Sequence, residues 1–185
     1  KHSIILVKEL REKETADEID RIAKTIEETL DAETNSRVYI SSGTIVSDLK
    51  DVSRSYKEAK MALEVGKIFE TDKYIVNYEK LGIGRLIYQL PLPLCRMFIK
   101  EVLHGLTMDD FDDETLATVN KFFENNLNVS ETSRQLYIHR NTLVYRLDKL
   151  QKMTGLDLRN FDDAIIFKIT LMVSKYMIYM DKMAY

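Results

Sequence analysis

The chain has 185 residues, a length typical of one large domain or two small ones. Hydrophobic residues make up 45% and charged residues 31%, and the net charge is only -3. This composition supports a globular core, and it excludes a strongly basic protein, so any nucleic-acid surface has to be local. Cys95 is the single cysteine, which excludes an intramolecular disulfide and a cysteine-based zinc site. We interpret it as a buried apolar residue.

The sequence predicts neither a signal peptide nor a membrane span. The apolar part of "KHSIILVKEL" is too short for a secretory leader, and no run reaches the roughly 18 apolar residues of a membrane helix. We therefore expect a cytoplasmic protein with no membrane partner. Because the chain begins inside the apolar run Ile4–Val7, we also expect it to be the C-terminal piece of a longer protein.

Residues 1–82 predict an α+β module, a small sheet with helices. Their predicted strands are Ser3–Leu10, Arg37–Gly43 and Lys73–Tyr78, which are rich in β-branched and aromatic residues. A capping-box pattern at Thr15–Glu18 begins the first helix, and Ser47 and Gly66 are expected to bound the second. The predicted buried stripes are Ile19, Ile22, Ala23, Ile26 and Leu30 in the first helix, and Leu49, Val52, Tyr56, Ala59 and Leu63 in the second.

Residues 83–106 predict connecting helices, and residues 107–185 predict an all-α bundle. "LGIGRLIYQL" predicts a helix that stops at Pro91 and Pro93, and Leu94–Leu106 predicts another. The glycines of "LGIGRLIYQL" lack the spacing of a nucleotide-binding loop, so we expect a turn and a helix entry there.

The acidic run "DDFDDET" lacks the glycine and the ligand spacing of a calcium loop. It predicts an acidic helix start, followed by an apolar face that includes Leu116 and Phe122. We expect no metal, no cofactor and no catalytic residue.

The stretch "NVSETSRQLYIHRNTLVYRLDKLQ" predicts two short helices joined by a tight turn. Ser130 is the expected N-cap of the first helix, and His139 or its neighbour caps the second, which begins at Arg140. Leu143, Leu147 and Leu150 share one helical face and are expected to be buried. This layout is typical of a helix-turn-helix, whose second helix enters the major groove of DNA. Ordinary surface residues of a helical bundle would give the same pattern, and the spacing alone leaves both interpretations open.

The residue types in this stretch suit DNA. Arg140 can bind guanine with two hydrogen bonds, Asn141 can bind adenine in the same way, and the Thr142 methyl can contact a thymine methyl. Ser130 and Thr132 lie at the start of the first helix, where exposed N–H groups suit a phosphate. Residues 128–152 include five basic and two acidic side chains. Residues 107–127 include one basic and six acidic side chains. The predicted helix-turn-helix is thus a basic region in an acidic chain.

The segment "LYIHRNTLVYRLDKLQKMTGLDLRNFDDAIIFKITLMV" closely resembles the C-terminal helix-turn-helix of the PucR/CdaR family of bacterial transcription regulators. The resemblance implies a sequence-specific DNA-binding regulator, an activator of a catabolic operon. The turn between the two predicted helices is also similar to that of the Fis protein, in which a glycine stands at the place of Tyr137. The resemblance implies that Ser130 meets a backbone phosphate and that the groove is faced by His139, Arg140, Asn141, Thr142 and Tyr145. We expect further phosphate contacts from Thr132, Arg146 and Lys149.

"RVYISSGTIVSDLKDVSRSYKEAKMALEVG" resembles the end of the GGDEF-like domain that precedes the helix-turn-helix in this family. The GGDEF residues themselves are absent, so the resemblance implies a degenerate, truncated and non-catalytic module rather than an enzyme. Two alternatives remain at this point. One is a protein-interaction module of a regulator, and the other is a nucleotide-processing enzyme derived from the cyclase fold.

The last helix, "AIIFKITLMVSKYMIYMDKMAY", is apolar on more than one face. It is either the central helix of the C-terminal bundle or, in part, a dimer contact. Because helix-turn-helix proteins often bind paired half-sites, we predict a homodimer or a higher homo-oligomer. Double-stranded DNA is the main expected partner, and RNA polymerase is a further candidate. We expect an effector to bind upstream of Lys1.

Overall fold

The computed structural model describes residues 3–11, 15–34, 38–70 and 73–183. Its regular elements are α1 (Ala16–Thr34), β1 (Ile40–Ser42), α2 (Val52–Phe69), β2 (Ile75–Asn77), α3 (Gly84–Ile87), α4 (Leu92–Val102), α5 (Asp113–Glu124), α6 (Val129–Gln135), α7 (Arg140–Thr154) and α8 (Phe161–Met183). Short 3₁₀ turns cover Leu49–Asp51, Tyr78–Lys80 and Met108–Asp110. The chain divides into two compact units, Lys1–Leu86 and Ile87–Tyr185. The predicted class, an α+β module followed by an all-α bundle, is confirmed, while the predicted domain boundaries stay predictions.

The N-terminal unit holds a parallel two-stranded sheet. β1 and β2 pair with Ser41 opposite Val76, and α1 and α2 pack against them. The predicted strand at Ser3–Leu10 is wrong, because residues 3–10 have no regular structure and Ile4 is 99% exposed. A strand needs a neighbour for its N–H and C=O groups, and among the described residues β1 and β2 pair only with each other. The predicted strands at 37–43 and 73–78 form in shortened versions, with Arg37 outside the described residues.

Helix α2 differs from its prediction at both ends and in its buried face. Its N-cap residue is Asp51, which makes no side-chain capping hydrogen bond. The 3₁₀ turn Leu49–Asp51 that leads into α2 is capped by Asp48, not by Ser47, and Asp48 accepts the Lys50 N–H at 3.4 Å. The helix continues past Gly66 to Phe69. Gly66 is a close-packing position rather than the end of the helix, since a Cβ there would lie 2.5 Å from the Val76 Cγ2. The buried residues are Ala62, Val65, Gly66 and Ile68, whereas Leu49 is 88% exposed. The buried part of α2 is therefore its C-terminal half, where Gly66 packs against Val76 of β2.

Gly43 lets the end of β1 approach α2 closely. A Cβ at this position would lie 2.0 Å from the carbonyl oxygen of Ser55, so no side chain fits without a backbone shift. Next to it, the Ser55 hydroxyl donates to the Thr44 carbonyl oxygen at 2.7 Å, and the Thr44 N–H donates to Glu58 Oε2 at 3.1 Å. These bonds fix the β1–α2 connection with polar groups rather than with a large apolar core.

The C-terminal unit begins with α4, which starts earlier and ends earlier than predicted. Pro91 is its N-cap residue and Pro93 lies in its first turn, a position where the missing proline N–H costs nothing. It ends at Val102, where His104 and Gly105 adopt positive φ. The helix predicted over "LGIGRLIYQL" is reduced to the four residues of α3. Cys95 of α4 is buried, as predicted.

One contiguous hydrophobic core fills the C-terminal unit. Its buried residues are Leu103, Phe111, Val119, Phe122, Leu143, Leu147, Leu150, Leu158, Phe167 and Leu171. They come from α5, α7, α8 and the connections around them, and α4 packs along α8. The predicted apolar face of α5 and the predicted burial of Leu143, Leu147 and Leu150 are confirmed. In the described residues, no helix is both long and apolar enough to cross a membrane.

Candidate nucleic-acid interface

Helix α6 is capped by Asn128. Its side chain accepts a hydrogen bond from the Glu131 N–H at 3.0 Å. The predicted cap, Ser130, is instead an exposed residue inside the first turn. The signal was present in the sequence, since Asn128 and Glu131 have the spacing of a capping box.

The turn between α6 and α7 holds Tyr137 in a left-handed conformation, with φ of 55°. The Ile138 N–H donates to the Ser133 carbonyl at 3.0 Å, and the Tyr137 N–H donates to the Arg134 carbonyl at 3.2 Å. This pair of bonds is a Schellman motif, whose left-handed position normally favours glycine. The turn thus keeps glycine-like geometry with a tyrosine, and the side chain of Tyr137 is 96% exposed.

Helix α7 is the predicted second helix, and it begins at Arg140 as predicted. His139 caps it by accepting the Asn141 N–H at Nδ1, at 3.2 Å, which confirms the predicted cap. Gly155, at φ 78°, ends it in the left-handed conformation. Two short helices, a four-residue connection and a buried leucine stripe on the second helix form a helix-turn-helix.

The opposite side of α7 presents polar side chains to solvent. The exposed members of the predicted site are Ser130, His139, Arg140, Asn141, Thr142, Tyr145 and Lys149. The Arg140 guanidinium lies 3.4 Å from the Ser130 hydroxyl, which brings the first turn of α6 beside the start of α7. A polar first turn on α7, next to the first turn of α6, is the arrangement that a helix-turn-helix uses at the major groove.

Thr132 and Arg146 are not part of this exposed surface. Thr132 has 0% exposure, and its hydroxyl has no hydrogen-bond partner among the described residues. The Arg146 side chain is only 16% exposed, donates to the Thr118 hydroxyl at 2.9 Å and pairs with Glu114. Helical periodicity places Thr132 toward the bundle, and Arg146 is held by α5. As folded, neither side chain is available for the predicted phosphate contact.

Lys149 is exposed but paired. Its ammonium lies 2.9 Å from Asp112 Oδ2, and the other Asp112 oxygen accepts the Thr115 N–H at 2.6 Å as the N-cap of α5. The hydrogen bonds from Thr115 and from Lys149 hold the pKa of Asp112 well below its ordinary value of 3.8. In turn, the hydrogen bond to Asp112 raises the pKa of Lys149. Sequence reasoning missed this pair, since its members are 37 positions apart.

Two family models match the chain. Residues 115–173 match the PucR C-terminal helix-turn-helix domain, and residues 1–65 match the GGDEF-like domain. The chain belongs to the PucR/CdaR family of transcription regulators. The recognised resemblance is therefore confirmed in both halves, and the helix-turn-helix interpretation of α6 and α7 is preferred over an ordinary bundle surface.

Curated relatives agree with this family. The chain is 28% identical to the purine catabolism regulatory protein of Bacillus subtilis, over 71% of this chain and 25% of the relative. It is 31% identical to the carbohydrate diacid regulator of Escherichia coli, over 75% of this chain and 36% of the relative. It is 28% identical to the proline-responsive transcriptional activator PutR of Bacillus subtilis, over 75% of this chain and 34% of the relative. In these comparisons the chain spans between a quarter and about a third of the relative's length.

Proposed function

We propose that this chain is the DNA-binding part of a sequence-specific transcription regulator and that α7 reads the major groove. The observation that carries the proposal is the two-sided character of α7. Its leucine stripe is buried, while Arg140, Asn141 and Thr142 occupy an exposed first turn. Arginine and asparagine at the N-terminal end of a recognition helix can each make a bidentate base contact.

Phosphate contacts would come from the residues that flank this turn. Ser130 and Lys149 are exposed and are kept in the proposed site, with His139 and Tyr145 at the groove edge. Thr132 and Arg146 leave the proposed site because of their burial and pairing. Phosphate contacts position the protein, whereas the base contacts from Arg140–Thr142 specify the sequence.

We further propose an activator of a catabolic operon that works as a homodimer or a higher homo-oligomer in the cytoplasm. The names of the relatives, which include a purine catabolism regulator and a proline-responsive activator, support an activator of a catabolic operon. The proposed homo-oligomer is supported by exposed apolar side chains on α8, Ile165 at 41% and Ile178 at 49%. RNA polymerase would be the partner of an activator. We propose no catalytic activity, because the named relatives are regulators.

The test is fluorescence anisotropy with labelled promoter fragments from upstream of its own gene and of neighbouring operons, at two salt concentrations. The chain is compared with Arg140→Ala/Thr142→Ala. A matched control is Ser53→Ala/Arg54→Ala, which removes an exposed arginine and a hydroxyl from α2.

We expect tight binding to one fragment that the site variant loses and the control keeps. The arginine alone should account for about 1–3 kcal/mol of that binding. Weak salt-sensitive binding should persist in the site variant, because phosphate contacts remain. Equal binding of every fragment by all three proteins would refute base reading by α7.

A further inference from the structure

Lys149 lies on the face of α7 that the proposed function turns toward DNA. Thr142, Tyr145 and Lys149 follow one another at i, i+3 and i+7, so they form one line along the exposed side of the helix. In the free chain, however, the ammonium of Lys149 is paired with the carboxylate of Asp112, the N-cap residue of α5, at 2.9 Å. The side chains of both residues are about half exposed, 47% for Lys149 and 51% for Asp112. The pair is therefore open to solvent and to an incoming phosphate.

We propose that Asp112 is an intramolecular competitor of DNA phosphate for Lys149, and that it lowers the sequence-independent part of DNA affinity. The inference rests on the proposed function, because it requires α7 to approach DNA. A lysine that contacts a phosphate releases a condensed counterion from the duplex, and this release drives sequence-independent binding. A lysine already held by a carboxylate of its own chain contributes less, since contact with DNA requires the first pairing to break.

Asp112 is well placed to hold Lys149 in this way. Its Oδ1 is fixed by the Thr115 N–H at 2.6 Å as the cap of α5, which keeps Oδ2 directed to α7. The neighbouring Arg146–Glu114 pair and the Arg146–Thr118 hydrogen bond hold α7 against the same end of α5. The competing carboxylate therefore lies within the polar contact between α5 and α7.

The deciding variant is Asp112→Asn. Asparagine is also a good N-cap residue, so the hydrogen bond to Thr115 and the start of α5 can be kept while the charge is removed. The matched control is Asp113→Asn, which makes the same charge change one position along the chain, at an exposed carboxylate for which the described residues provide no ion pair. Both substitutions are also made in a Lys149→Ala background.

The measurement is anisotropy against one specific and one unrelated duplex over a series of salt concentrations. We expect Asp112→Asn to bind both duplexes several-fold more tightly at low salt and to steepen the salt dependence by about one counterion. Asp113→Asn should show a smaller gain and an unchanged slope. In the Lys149→Ala background the extra gain of Asp112→Asn should vanish, because the group that it releases is absent.

Failure of this inference is distinguishable from failure of the proposed function. If the unmodified chain prefers its specific duplex and depends on Arg140, but Asp112→Asn equals Asp113→Asn, the competition is refuted while the function stands. The same conclusion follows if the gain persists without Lys149, since bulk charge then explains it. If the unmodified chain shows no preferred duplex, the proposed function and the inference both fall.

Discussion

The two units of this chain stabilise themselves in different ways. The C-terminal unit has one contiguous core in which Phe122, Leu143 and Phe167 have no exposure at all. Among its described residues, the N-terminal unit has a sheet of two three-residue strands and a smaller set of buried apolar side chains, Ala23, Ala62, Val65, Ile68, Val76 and Leu81. Helices satisfy their backbone hydrogen bonds within themselves, whereas a strand depends on a neighbour. The helices of the C-terminal unit can therefore be predicted from local sequence signals. The strands of the N-terminal unit depend on which segments pair with each other.

Leu143→Ala should have the largest effect on stability, because it removes a fully buried side chain from the core of the C-terminal unit. We expect it to lower the free energy of unfolding by about 2–5 kcal/mol. The counterpart is Leu49→Ala in the N-terminal unit, at a side chain that is 88% exposed, with an expected effect within about 0.5 kcal/mol. Urea denaturation followed by circular dichroism measures both. Equal losses in the two variants would mean that the burial described for these leucines is wrong.

Gly43→Ala tests whether close approach, rather than apolar bulk, holds the N-terminal unit together. The new Cβ would lie 2.0 Å from the Ser55 carbonyl oxygen, so β1 has to move away from α2. We expect a loss of about 1–3 kcal/mol, as for other overpacked sites. Amide hydrogen exchange in β1 and β2 is the readout, with Ser47→Ala, an exposed change in the same connection, as the control. Unchanged protection in Gly43→Ala would show that the β1–α2 contact is loose.

Tyr137→Gly should have the smallest effect and the opposite sign. The left-handed conformation at φ 55° costs a residue with a Cβ about 1–2 kcal/mol, and glycine avoids this cost. Part of the gain is offset by the larger entropy of glycine in the unfolded chain, so we expect a net stabilisation of about 0.5 kcal/mol. Thermal unfolding measures it, and Tyr137→Ala, which keeps the Cβ, should show no gain. A lower melting temperature for the glycine variant would point to a packing role for the ring.

The helix-turn-helix was predictable because its signals are short-range. The leucine stripe at Leu143, Leu147 and Leu150 follows from helical periodicity, and the His139 cap follows from its place before Arg140. The predicted strand at Ser3–Leu10 is wrong because composition indicates β structure but does not supply a partner strand.

The differences between the predicted and the exposed site residues have another cause. Thr132 and Arg146 are residue types that suit a phosphate, but burial and the pairing of Arg146 with Glu114 depend on how α6 and α7 pack in the bundle. The Asp112–Lys149 pair likewise joins two helices whose separation along the chain gives no local signal. Spacing therefore predicts which face of a helix is polar, whereas tertiary contacts decide which of its charges are free.

The buried thiol of Cys95 has a practical consequence. It is the chain's single cysteine, it is 1% exposed on α4, and burial raises its pKa. A thiol-specific reagent reacts with the thiolate, so labelling requires α4 to separate from its surroundings first. The labelling rate therefore reports the free energy of local opening at the α4–α8 packing, without mutagenesis and without a competing signal from another thiol. Measured with and without duplex, the labelling rate would show whether binding at α7 changes the stability of the α4–α8 packing.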